Sequence, residues 1–328
     1  MPQPSNPRQF VLTHLQQLQS CWSGVHDADI DSVHDARVAI RRIRAALPFV
    51  FDAPEAAAKE LRRIGRVLGR VRELDVTHAL LISLEQRAPE TGAAVAALRR
   101  EVTDQLQRQR RRMIKALDRD PRALLGAIEK GNRLARVSSI WRNWRHELRD
   151  GIRLRASDMR EAIVRATAVY MPNRSHAARI KVKKLRYTAE LAAAAGLLRN
   201  ADVLEEFRKV QNRLGALHDL HVLSVALEKS RGRDNTAAEF LALASVIAAE
   251  RTRVHDKYVR NRARVIAACG ACVNEIDART ADTPALAAAA IIAVPMLTAW
   301  YLGGSNEDQT KDAPDDERFP RLAASDVA

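Results

Sequence analysis

Aromatic residues are scarce in this 328-residue chain: Phe, Trp and Tyr together make up 4%. Strands are built mainly from aromatic and β-branched residues, so a sheet-rich fold is excluded. Glycine (13) and proline (12) are also few, while Ala, Leu and Arg dominate, a mixture that favours packed helices. Only three cysteines occur, Cys21, Cys269 and Cys272, which excludes a disulfide scaffold. The "CGAC" run at 269–272 has redox or zinc spacing, but it lacks a second pair and a βαβ context. It reads better as small apolar residues on an Ala-rich helix. No uninterrupted apolar run of a signal peptide stands in "MPQPSNPRQFVLTHLQQLQ", which points to a cytoplasmic location. Hydrophobic residues reach 47%, enough to exclude global disorder. The fold class expected is all-α.

Negative charge is short in most of the chain. The net charge is +14, yet residues 305–328 carry seven acids against three bases, which leaves +18 on residues 1–304. Excess of this size attracts polyanions: nucleic acid, anionic membrane or polyphosphate. A basic, Arg-rich proteome would also shift every protein this way. The placement of the charges has to decide.

Helical periodicity runs through most of residues 8–278, broken by turn signals such as "APETG" at 88–92 and "MPNRS" at 171–175. Within it lies an internal repeat. "HDARVAIRRIRAAL" at 34–47 matches "HAARIKVKKLRYTA" at 176–189, and "LGRVRELDV" at 68–76 matches "LGALHDLHV" at 214–222. His34 aligns with His176, Arg37 with Arg179, Arg41 and Arg42 with Lys183 and Lys184, and Arg44 with Arg186. Two matches in the same order imply two similar halves, about 8–150 and 151–278, of one helical domain.

The cations in these matches are not spread evenly. At roughly 100° per residue, Ala36, Ile40, Ile43 and Leu47 form an apolar stripe, and His34, Arg37, Arg41 and Arg44 form a band beside it. Arg42 falls on the solvent side. The second copy repeats this, with Ala178, Val182, Leu185 and Ala189 apolar, His176, Arg179, Lys183 and Arg186 alongside, and Lys184 in the solvent position. Between Ala162 and Ala189 there are seven Lys or Arg and no acid. Charges that only solubilise a helix would sit opposite its apolar stripe, so these face something. Arg72 and Asp75 fall on the buried side of the 61–75 helix, where they are able to satisfy each other at i,i+3, and His218 takes the place of Arg72 in the other half. Clustered cations without acidic partners are relieved by a polyanion, which releases its counterions on binding. Arg binds phosphate bidentately and Lys as a point charge. Histidine donates more strongly once protonated, and nearby phosphate raises its pKa.

The HxxRxxxRRxR helix followed by LGxxR[DE]xDV, and then a second round of both, resembles the CHAD family, helical domains with conserved histidines. The resemblance covers about residues 8–278. It implies two pseudo-symmetric helical bundle halves with a basic groove or pore between them that binds inorganic polyphosphate without catalysis. By motif position it implies a role for His34, Arg37, Arg41, Arg44, Arg72, His176, Arg179, Lys183, Arg186 and His218. Arg42, Arg66 and Lys184 are secondary candidates on the same helices. Glu73 stands where the family often has Asp, and His221 replaces the acid found at Asp75.

Two other functions compete. Nucleic acid would be held by the same charges, although only Trp141 and Trp144 interleave aromatics with bases as a stacking platform does. A metal-dependent phosphohydrolase would draw on the "HD" pairs at 34–35 and 218–219, but arginines around both histidines repel a metal ion. No cofactor and no metal site is expected. From Thr283 to Asn306 no residue is charged. The apolar stretch 285–302, roughly 27 Å long as a helix, suits a membrane anchor, a helix packed on the bundle, or contact with a partner or a polyphosphate granule. The acidic segment 305–328 reads as a disordered tail.

Overall fold

Ten α-helices run through the described residues of the computed structural model, with no strand among them. Those residues are 7–49, 55–117, 143–167, 170–230 and 237–281. Residues 1–282 form one unit and 283–328 a second. The apolar stretch 285–302 and the acidic tail 305–328 therefore lie outside the described residues. The helices are α1 (Pro7–Ser20), α2 (Trp22–His26), α3 (Ile30–Ala46), α4 (Glu55–Arg87) and α5 (Gly92–Leu117). They continue with α6 (Trp144–Arg165), α7 (Pro172–Ala194), α8 (Ala201–Ser230), α9 (Ala237–Arg260) and α10 (Arg262–Ala281).

Local chemistry sets the ends of the site-bearing helices. Asp29 caps α3, its carboxylate accepting from Ser32 N at 2.8 Å, a contact typically worth about 1 kcal/mol. Pro172 begins α7, where its fixed φ and missing N–H cost nothing. Two carboxylates from distant helices cap others. Glu239 of α9 accepts from Ala93 N at 2.7 Å at the start of α5, and Glu275 of α10 accepts from Arg199 N at 2.7 Å just before α8. Both place negative charge at a helix N-terminus, where the backbone dipoles favour it.

Neighbours follow the same order in the two parts of the chain. α1 packs on α3, α3 on α4 and α4 on α5; likewise α6 packs on α7, α7 on α8 and α8 on α9. Each repeated helix also touches its counterpart, α3 against α7 and α4 against α8. One continuous apolar core joins them, running from Val33, Ile40 and Ile43 of α3 to Val182 and Leu185 of α7 and Leu214 and Leu217 of α8. Small residues at Ala36, Ala39, Ala178 and Ala189, all fully buried, let these helices approach closely. The apolar stripes read from the sequence are the buried faces. Because α3 meets α1, α4 and α7 at once, Arg37, Arg41 and Arg44 of the band beside its stripe are half-buried, while His34 at its start is exposed.

The "CGAC" cysteines sit on α10, both buried, and burial pushes each thiol up to about 12. At neutral pH they are protonated and behave as small apolar side chains. Among the described residues no helix is long and apolar enough to cross a membrane.

Candidate functional site

Arg37 leaves α3 toward α4 and lies against its backbone at Gly69. A Cβ added at Gly69 would come within 2.6 Å of Arg37 Nη1, so the missing side chain is what makes room for the guanidinium. The matching glycine of the second copy, Gly215, has nothing within 4 Å. Two glycines at equivalent motif positions therefore serve different local needs.

Arg37 and Arg41 of α3 share one neighbourhood with Arg179 and Lys183 of α7. Burial, then Arg41 and Arg179, push Arg37 down to about 9. Burial also lowers Arg179, against a pull from Asp219. Lys183 falls well below its ordinary value through burial and the fields of Arg41, Arg179 and Arg37. All four side chains have intermediate surface exposure, yet the charged ends of Arg37, Arg179 and Lys183 are enclosed enough to lose solvation. None of the four forms a salt bridge among the described residues, and Arg37 Nη1 and Arg179 Nε are buried without a hydrogen-bond partner. Nearby cations are treated differently. Lys181 meets Asp158 at 2.7 Å, and Arg42 meets Glu190 at 2.8 Å.

Histidines edge this cluster. The His176 and His218 rings lie 5.1 Å apart, and His176 Nε2 is buried with no partner. Burial first, and then His218, Arg179 and Lys183, push His176 down to about 4. His34 is exposed at its surface, but burial of its charge and the fields of Arg72, Arg41 and Arg37 lower it as well. An anion is thus needed to make the His176 ring cationic near neutral pH. The depressed His176 value carries a stability consequence. Between pH 6.5 and about 4 the unfolded chain binds a proton that the folded chain refuses, so stability falls on acidification by on the order of 1–3 kcal/mol. Thermal melts across this window should show that loss, and His176→Gln should flatten it.

Two carboxylates, one from each repeat, complete the cluster, and the sequence reading did not place them there. Glu73 Oε1 stands 3.7 Å from His218 Nε2, and His218, Arg179 and Arg37 hold Glu73 below its ordinary value. Asp219 is raised by burial, against Arg179, His218 and Lys183, with Glu73 adding to the rise. The signal was available, since Glu73 and Asp219 align within the second repeated motif. Tyr187 of α7, buried beside Arg37 and Arg179, had no such signal.

Other expected residues fall elsewhere. Arg186 is not an uncompensated cation: its Nε lies 2.9 Å from Glu190, which also takes Arg42. Arg42 is therefore half-buried and tied to α7, not on the solvent face, because α3 crosses α7 on that side. Asp75 pairs with Arg110 of α5 at 3.0 Å, not with Arg72, because the α4–α5 contact presents a closer cation. Arg72 is half-buried beside His34. Arg44 and Lys184 are half-buried and Arg66 is exposed. Trp144 is buried with Arg145 stacked 5.4 Å over its ring, and Trp141 lies outside the described residues. Among the described residues no group of three or more His, Cys, Asp or Glu is arranged to hold a metal ion.

A profile of the CHAD domain matches residues 9–228, about two thirds of the chain and all of the helices that build this cluster. The chain belongs to the CHAD family. That family is associated in general with polyphosphate binding. The crystal structure of the CHAD domain from the plant Ricinus communis is similar, with a TM-score of 0.51 and 22% identity. The match covers 85% of this chain and 94% of the plant one, so the CHAD fold spans the described helices. No curated protein sequence matches.

Proposed function

We propose that this CHAD protein binds inorganic polyphosphate without catalysis, in a basic groove between its two repeat-related halves. One observation carries the reading: Arg37, Arg41, Arg179 and Lys183 come together from equivalent positions of α3 and α7 and form no salt bridge among the described residues, with buried N–H groups of Arg37 and Arg179 left over. Desolvated cations in mutual repulsion are costly, and a flexible chain of closely spaced phosphates relieves that cost without any sequence being read. Arg37 and Arg179 offer paired N–H donors to phosphate oxygens, and Lys183 a point charge. His34, Arg44, Arg72, His176 and His218 stand beside them as further donors. Cytoplasmic, granule-associated binding fits a ligand of this kind.

The test is retention of long-chain polyphosphate by the full chain, titrated with salt and run beside DNA and RNA. Affinity should fall steeply and linearly in log–log form as salt rises. Replacing Arg37, Arg41, Arg179 and Lys183 together by Gln should abolish retention while helical content persists. Unchanged binding in that variant refutes the site, and tighter binding of nucleic acid than of polyphosphate favours the rival ligand.

Gly69 gives a finer prediction. Alanine is favoured over glycine inside a helix by about 1 kcal/mol, but its Cβ would push the Arg37 guanidinium aside. Gly69→Ala should keep or raise the melting temperature while weakening polyphosphate binding severalfold. Gly215→Ala, with open space around it, should leave affinity unchanged.

A further inference from the structure

We infer that the site loads its anion together with protons, taken up by Glu73, His176 and Asp219, which cluster around the His218 ring. The inference rests on the polyphosphate reading and adds a pH control to it. The groups involved come from every helix around the cluster. α3 supplies Arg37 and Arg41, α4 supplies Glu73, α7 supplies His176, Arg179, Lys183 and Tyr187, and α8 supplies His218 and Asp219. The two carboxylates balance part of the charge on the four cations, and Glu73 leans on His218 at 3.7 Å.

A phosphate chain reaching those cations takes over that balance. Its charge disfavours the ionised form of Glu73 and Asp219 and favours the imidazolium form of His176. His176 is prepared for this, because its Nε2 is buried and has no acceptor or donor to meet. With the His218 ring 5.1 Å away and arginines around it, protonating His176 without an added anion places an unpartnered positive charge among cations. With the anion present, each added proton gains a partner. The protons come from solvent, and no covalent bond changes. By linkage, the slope of log affinity against pH equals the number of protons taken up with reversed sign. Binding therefore tightens as pH falls.

Isothermal titration calorimetry of the full chain with long-chain polyphosphate, at pH 8, 6.5 and 5.5, tests this. Each titration is repeated in two buffers of different protonation enthalpy, which gives the protons taken up directly. The internal phosphates of a long chain stay singly ionised over this range, so the uptake belongs to the protein. The expected result is uptake of about one proton near pH 6 and a Kd about tenfold lower at pH 5.5 than at pH 8. Asp219→Asn should tighten binding severalfold at pH 8 and reduce the uptake, and Glu73→Gln should act in the same direction. Wild-type binding with no proton uptake and no pH dependence overturns the coupling while leaving the polyphosphate reading intact. Weaker binding in both amide variants at pH 8 overturns it as well. Absence of binding by the wild type at every pH refutes the polyphosphate reading and the coupling with it.

Discussion

Lys183→Met raises the melting temperature of the protein and, in the same variant, weakens polyphosphate binding by about tenfold, with the salt slope reduced by about 1. Most core substitutions lower stability, so the sign is the informative part. Lys183 pays desolvation and faces Arg41, Arg179 and Arg37 with only Asp219 to offset them. Methionine fills a similar volume with a flexible apolar chain and removes the charge. The expected gain is about 1–2 kcal/mol, or roughly 2–4 °C for each kcal/mol in a domain of this size. A pH series checks the cause. With the folded pKa lowered, the unfolded chain holds the Lys183 proton more tightly, so Lys183 contributes a rise in stability as pH climbs toward the ordinary lysine value of 10.5. From pH 9 upward the buried thiols of Cys269 and Cys272, held up at about 12, oppose that rise, because the unfolded chain ionises first. Lys183→Met should lose the lysine's rise and keep the opposing fall. A lower melting temperature at pH 7 would mean that Lys183 is packed as a structural residue and is not a strained ligand group.

The same logic separates this cluster from the protein's other charges. Lys181, two residues from Lys183, meets Asp158. Arg42, next to Arg41, meets Glu190. Both pairs are half-buried, and they show that the chain has carboxylates to spare for its arginines and lysines. Arg37, Arg41, Arg179 and Lys183 form no salt bridge among the described residues, and Glu73 and Asp219 offset only part of their charge. A sequence usually breaks its own rules where function demands it, and here the broken rule is the pairing of desolvated charge.

Much of the architecture was legible because helical periodicity and repeats are local signals. Ala36, Ile40, Ile43 and Val182 and Leu185 could be assigned to buried faces from spacing alone, and the cationic bands of α3 and α7 followed from the same angles. What spacing cannot supply is the identity of the neighbour across a helix–helix contact. Arg186 read as a free cation because Glu190 lies one turn further along α7, and nothing in the angular reading weighed that i,i+4 partner. Arg42 read as solvent-facing because the helical wheel does not say that α7 crosses there. Glu73 and Asp219 were visible as aligned acids, yet their approach to the α7 cations depends on how α4 and α8 dock. The lack of a Cβ at Gly69, likewise, has meaning only once Arg37 is seen lying over it.

Arg110→Ala is expected to destabilise the protein by about 3–5 kcal/mol, the cost of stranding a buried charge. Asp75 is a buried carboxylate whose side chain is 2% exposed. Its Oδ1 accepts from Arg110 Nη2 at 3.0 Å, while Oδ2 has no partner among the described residues. Removing the guanidinium leaves the carboxylate uncompensated on the α4–α5 contact. Asp75→Asn in the Arg110→Ala background should recover a large part of the loss, since a neutral amide costs far less to bury than an ion. Chemical denaturation of the two single variants and the double variant gives the coupling directly. The pair also sets the rotation of α4 about its axis, two residues from Glu73 and six from Gly69. Under conditions where Arg110→Ala remains folded, polyphosphate affinity should therefore drop severalfold although Arg110 itself lies outside the cation cluster. Additive behaviour of the two substitutions would show that Arg110 acts through packing of its stem, and the register of α4 would then have to be fixed by the apolar residues Leu61, Ile64, Leu68 and Val71 alone.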